Sequence, residues 1–98
     1  MNLFEKTKKL EDVKNNIKSI EDVIKEPILA LAVDKLYFTD DAVYSTVYIL
    51  VNNGDNLRTN LLNELELIKF FDNVIFDIVS KEYYERNLRN MAQLFYEA

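Results

Sequence analysis

The sequence predicts an α+β domain of α-β-β-α-β-α order, with a small three-stranded sheet and helices packed mainly on one face. Three observations lead there. Apolar residues recur at heptad spacing from Leu3 to Ile24. Two runs rich in Val, Ile and Tyr flank a polar break at Thr39-Asp40-Asp41. An apolar run at 73–79 stands between two stretches of helical periodicity. The competing architecture is an all-α bundle of four or five helices.

The first helix is expected over residues 3–25. Leu3, Leu10, Ile17 and Ile24 fall seven apart, with Val13 and Ile20 between them, so they take the a and d positions of a heptad. Such a helix shows one narrow apolar seam and an otherwise charged surface. Lys6 occupies a d position and leaves the seam imperfect near its start. Pro27 cannot continue a helix and pushes Glu26 out of helical geometry, which ends the element near Lys25.

Residues 28–38 and 42–51 are read as a hairpin closed at Thr39-Asp40-Asp41, because Val, Tyr, Thr and Ile dominate the second run. That register pairs Tyr37 with Val43, Val33 with Val47, Leu31 with Ile49 and Leu29 with Val51. One face then carries Leu29, Leu31, Val33, Val43, Val47, Ile49 and Val51. The other, more mixed face carries Ala30, Ala32, Asp34, Leu36, Tyr44, Thr46, Tyr48 and Leu50. The rival reading makes Thr39 a helix cap, with Gly54 shortly past the end of its helix.

Asn52-Asn53-Gly54-Asp55 reads as a loop. A second helix is expected over 56–71 on the face Leu57, Leu61, Leu65 and Ile68. Residues 73–79 form the third strand, parallel to the second through a right-handed crossover. Ser80 caps a third helix, 81–97, whose apolar stripe is Tyr84, Leu88, Met91 and Phe95. The ββαβ order also occurs in ferredoxin-like and KH-type folds, but the Gly-x-x-Gly loop that clamps RNA in KH domains is missing.

Composition narrows function by exclusion. Ninety-eight residues at 49% apolar, with six Phe and six Tyr, suffice for one core. Residues 1–98 are therefore read as a single domain, with the heptad helix at 1–26 and an acidic globular part at 27–98. The chain has no Cys and no His, which removes thiolate chemistry and the commonest general base and zinc ligand. Its single glycine, Gly54, excludes a P-loop or dinucleotide-binding turn, which needs several. The longest uncharged run, Ala42 to Gly54, is shorter than a membrane span, and charges interrupt the N-terminus where a signal core would lie. A cytoplasmic location is expected. The formal charge is −5, and all of it falls in residues 27–98, which argues against binding nucleic acid through phosphates. Nine Lys, eleven Asn and eight Ile against three Arg suggest AT-rich coding, as in a low-GC bacterium, its phages or its mobile elements.

Four features could carry function. The heptad seam (Leu3, Leu10, Val13, Ile17, Ile20, Ile24) is suited either to pairing between chains or to packing on its own domain. Tyr44 and Tyr48 share a sheet face and offer interface area with little rotamer entropy. Asp34 and Asp77 each interrupt an apolar run; paired carboxylates can hold Mg²⁺ or divide acid and base roles. Arg86 and Arg89 alternate with Glu82 and Glu85, which reads as a self-neutralising solvated face. The expectation is a small non-enzymatic protein-binding factor without cofactor or metal. It would be an inhibitor, adaptor or immunity-type protein, a homodimer in itself, that binds a partner with a basic surface through the seam, the Tyr face, or both. A nucleic-acid-binding regulator and a minimal carboxylate enzyme are the alternatives. The enzyme reading requires Asp34 and Asp77 to share a cleft.

Overall fold

The computed structural model describes residues 3–38, 45–52 and 74–98. The expected turn at 39–41, Tyr44 and the expected second helix at 56–71 lie outside the described residues.

The heptad stretch forms two helices, α1 (Leu3–Asn15) and α2 (Ile17–Ile24), rather than one. The break falls at Asn16, where φ is −118° and ψ is 22°. Its side-chain amide donates to the Asp12 carbonyl at 2.7 Å, and its backbone N–H donates to the Val13 carbonyl at 3.1 Å. Asparagine is a poor helix former because its side chain competes for backbone groups. Lys25 closes α2 in the left-handed region, φ 62°, just before Pro27. One Glu21 carboxylate oxygen then accepts from the Ile28 N–H at 2.8 Å, which fixes how the chain enters the sheet.

The first strand, β1 (Ala30–Asp34), pairs antiparallel with β2 (Ser45–Val51). The register is the one the alternation implied, with Val33 opposite Val47 and Leu31 opposite Ile49. The pairing stops earlier than expected. Asp34 turns its carboxylate onto the Leu36 N–H at 2.9 Å, and Lys35–Phe38 form a 3₁₀ turn instead of more strand. The third strand, β3 (Val74–Ser80), runs parallel to β2, as the sequence predicted.

The C-terminal segment departs furthest from expectation. Ser80 does cap a helix, its hydroxyl oxygen accepting from the Tyr83 N–H at 3.0 Å. The helix α3 (Lys81–Tyr83) passes into a π-helical segment, Tyr84–Leu88, and ends there. Ala92–Glu97 form a fourth strand, β4, antiparallel to β1. The sheet therefore has four strands in the order β3-β2-β1-β4, not three. The all-α alternative is not supported.

Two apolar clusters lie on the two faces of the sheet. Leu31, Val33, Val47, Ile49, Phe76 and Ile78 pack under Leu10, Val13, Ile20 and Ile24 of α1 and α2. On the other face, Ala30, Ala32, Leu50 and Val79 meet Tyr84, Leu88 and Ala92. Helical segments thus cover both faces, because Tyr84 and Leu88 fold back onto the side away from α1. The Tyr84 hydroxyl donates to the Ala92 carbonyl at 3.1 Å and ties the π segment to β4.

Candidate functional site

Five of the six heptad residues, Leu10 to Ile24, pack on the chain's own sheet. Val13, Ile20 and Ile24 are almost fully buried, Leu10 is buried, and Ile17 is half-buried against the same cluster. Leu3 opens α1. The misfit at Lys6 has a structural reason. Its side chain is buried, its ammonium donates to the Tyr37 carbonyl at 2.8 Å, and the Tyr37 hydroxyl donates back to the Lys6 carbonyl. The ammonium also lies 5.6 Å from the centre of the Tyr37 ring. Lys6 therefore bolts α1 to the 3₁₀ turn after β1 and leaves no gap in the seam.

The solvated face of the C-terminal helix is as expected. Arg86 meets Glu82 at 2.7 Å and Arg89 meets Glu85 at 3.8 Å, with all four side chains mostly exposed. Such pairs contribute little to stability. An open cleft of ≈ 520 Å³ beside them is lined by Asn52, Ser80, Lys81, Glu82, Glu85 and Arg86, at the carboxyl ends of the parallel pair β2 and β3. Its two cations and two carboxylates cancel.

Asp34 and Asp77 do not come together. Both project from the second face, but β2 lies between their strands. Two strand spacings are roughly 10 Å, whereas a divalent cation needs its oxygen ligands at about 2.0–2.6 Å. Asp34 is occupied in starting the 3₁₀ turn. Among the described residues no group of three or more His, Cys, Asp or Glu side chains is placed to hold a metal. The shared carboxylate cleft required of a minimal enzyme is therefore not formed by this pair.

Asp77 has a different neighbour. The parallel register sets it directly opposite Tyr48. Both are half-buried, as is Thr46, one pleat along β2 on the same face; Ile75, opposite Thr46, is 44% exposed. Further along the same strands Leu50 and Val79 are closed beneath Tyr84 and Leu88. Among the described residues, the second face thus passes from an end covered by Tyr84 and Leu88 to one where Thr46, Tyr48 and Asp77 are half-buried and Ile75 is exposed. Tyr48 and Asp77 were each conspicuous in the sequence, but nothing there set them opposite one another.

No family model and no curated protein sequence matches the chain. Its fold is similar to a crystal structure from Sulfolobus solfataricus that is provisionally assigned as a nucleotidyltransferase, with a TM-score of 0.61 at 10% identity. The likeness covers 94% of this chain and 83% of that one. It is a likeness of fold. It corrects the expectation of a protein-binding inhibitor, adaptor or immunity factor, since the fold it finds is shared with a chain provisionally assigned as an enzyme. Among the described residues no helix is long and apolar enough to cross a membrane.

Proposed function

We propose that this protein binds nucleotides on a nucleotidyltransferase-like scaffold. The observation that carries the reading is the fold likeness, which extends over 94% of the chain. The second sheet face supports it, since a carboxylate and a phenol stand on paired positions there, next to the exposed Ile75.

In nucleotidyl transfer an acceptor hydroxyl attacks the α-phosphorus of a nucleoside triphosphate. The bond from that phosphorus to the bridging oxygen breaks, pyrophosphate leaves, and the hydroxyl proton passes to a base. A divalent cation would neutralise the charge that builds on the leaving oxygens. The described residues do not fit such a cation, so no step is assigned to it. Asp34 and Asp77 stand apart, and that favours a second reading: the scaffold binds its nucleotide without transferring it.

Calorimetric titration with the four ribonucleoside triphosphates, with and without Mg²⁺, tests the reading. Binding in the micromolar to low-millimolar range is expected. No heat from any of the four at millimolar concentration would sink it. Incubation with an α-labelled triphosphate then separates the two readings, because only a transferase releases pyrophosphate.

A further inference from the structure

We infer that the cleft between the turns at 35–38 and 89–91 takes an adenine nucleotide, its base between Leu36 and Met91 and its first phosphate on the Lys35 ammonium. The inference rests on the nucleotide-binding reading and says where the ligand sits and which base it carries. Tyr48 and Asp77 already have partners in the fold, whereas this cleft has binding groups to spare.

The cleft has a volume of ≈ 280 Å³ and is lined by Asp34, Lys35, Leu36, Asn90 and Met91. It stands where β1 ends and β4 begins, since Asp34 is opposite Ala92. Because β1 and β2 are antiparallel, that is the end of the sheet away from Asn52 and the larger cleft. Its walls are tied together. The Lys35 N–H donates to the Met91 carbonyl at 2.9 Å, and one Asp34 carboxylate oxygen accepts from the Leu36 N–H. A ligand therefore meets a site that is already formed. Leu36 is 61% exposed and Met91 55%, the highest values among the large apolar side chains described. Two such side chains lining one cleft mark a surface suited to burying a ligand.

The chemistry of the lining selects the ligand. Leu36 and Met91 offer a flat base two apolar walls, and a thioether makes favourable contacts with aromatic rings. The Asn90 amide both donates and accepts. It can pair with the amino group and the neighbouring ring nitrogen of adenine, whereas guanine presents two acceptors on that edge. Among the described residues no hydrogen bond or ion pair holds the Asn90 amide or the Lys35 ammonium. The ammonium is a ready point charge for a phosphate. With one ammonium and one carboxylate in the lining, the cleft suits a single phosphate better than three. Its volume is just below the ~300–1,000 Å³ usual for ligand sites, so base and sugar fill it. The phosphate then stays at the mouth, where salt screens its attraction to Lys35.

The experiment titrates the whole chain with AMP, GMP, adenosine and ATP in EDTA by calorimetry. AMP should bind several-fold more tightly than adenosine or GMP, and at least as tightly as ATP. Lys35→Gln should bring AMP down to the level of adenosine, and Asn90→Ala should bring it down to that of GMP. Met91→Ser should weaken all four. These side chains are exposed, so the variants should keep the wild-type melt. The wild type gives an independent reading, because the chain has two methionines, Met1 and Met91. With isotope-labelled methionine methyls, AMP should shift the Met91 resonance through the ring current of the base and leave that of Met1 in place. Nucleotide binding with Met91 unmoved, and variants that bind as the wild type does, would overturn the inference and leave the nucleotide reading standing. GMP binding as tightly as AMP would overturn it too. No binding of any of the four would overturn both.

Discussion

A lysine in the apolar stripe of α1 reads as an error in the pattern until its partner is found. Lys6 is buried because its stem completes the packing and its ammonium reaches the Tyr37 carbonyl at 2.8 Å. Lys6→Met keeps the stem and removes the donor, which leaves the Tyr37 carbonyl without that partner. Urea denaturation should show a loss of about 1–3 kcal/mol. A more stable Lys6→Met protein would mean that desolvating the ammonium outweighs its bond. Tyr84 gives a pH-dependent counterpart. Burial pushes its hydroxyl above the usual value of 10.0; Glu85 and Glu97 push the same way and Arg89 opposes them. The folded chain therefore holds this proton to higher pH than the unfolded chain does. The resulting stability is complete below about pH 10 and is lost as pH rises through the raised folded value. Tyr84→Phe should cost about 1 kcal/mol at neutral pH, from the lost bond to Ala92. It should also lose stability less steeply above pH 10 than the wild type, as thermal melts at both pH values would show.

At the scale of elements, α1 and α2 depend on the sheet beneath them. They are 13 and 8 residues long, too short to persist alone in water. Ile20 is 1% exposed, and Ile20→Ala should cost about 2–5 kcal/mol through lost burial and an unfilled cavity. Ile20→Asp should unfold the chain outright, seen as loss of the cooperative melt by circular dichroism. A folded Ile20→Asp protein would mean that the stripe is dispensable to the domain. Ser80→Ala removes the acceptor of the Tyr83 N–H and should cost about 1 kcal/mol. The elements differ in how legible they are. The β1–β2 register could be read from alternation alone, because a slip of one residue would turn Leu31, Val33, Val47 and Ile49 to the wrong face. The fourth strand could not. Tyr84, Leu88, Met91 and Phe95 fit a helical stripe, yet Met91 is 55% exposed, and a bulge between Leu31 and Ala32 sets the β4 register off by one. That bulge spoils the period-two pattern that marks a strand, and Leu94-Phe95-Tyr96 reads as a continuous apolar run. The candidate site was legible only in pieces. Tyr48 and Asp77 were conspicuous separately, but the register of a parallel pair is set by the crossover between them and not by their own sequences.

For the whole molecule, strand order decides where the fold is strongest. In the order β3-β2-β1-β4, β1 and β2 have a strand on each side, whereas β3 and β4 are the outer strands. The inner strands are also deeply buried, with Leu31, Ala32, Val47, Ile49 and Val51 all at zero exposure, a depth that Ile78 and Val79 of β3 share and no residue of β4 reaches. Their amides can open only when both ladders and the core above them open, which is close to global unfolding. β4 is held by one ladder, broken by its bulge, and by the Tyr84 hydroxyl. Its side chains at Leu94, Phe95 and Tyr96 are only half-buried. Native-state hydrogen exchange should therefore rank Leu31 to Val33 and Val47 to Leu50 slowest, near the global limit. The amides of β4 should exchange faster, through local opening that depends little on denaturant. Equal protection across all four strands would mean that β4 opens only with the whole, and that its bulged ladder is a full part of the cooperative core.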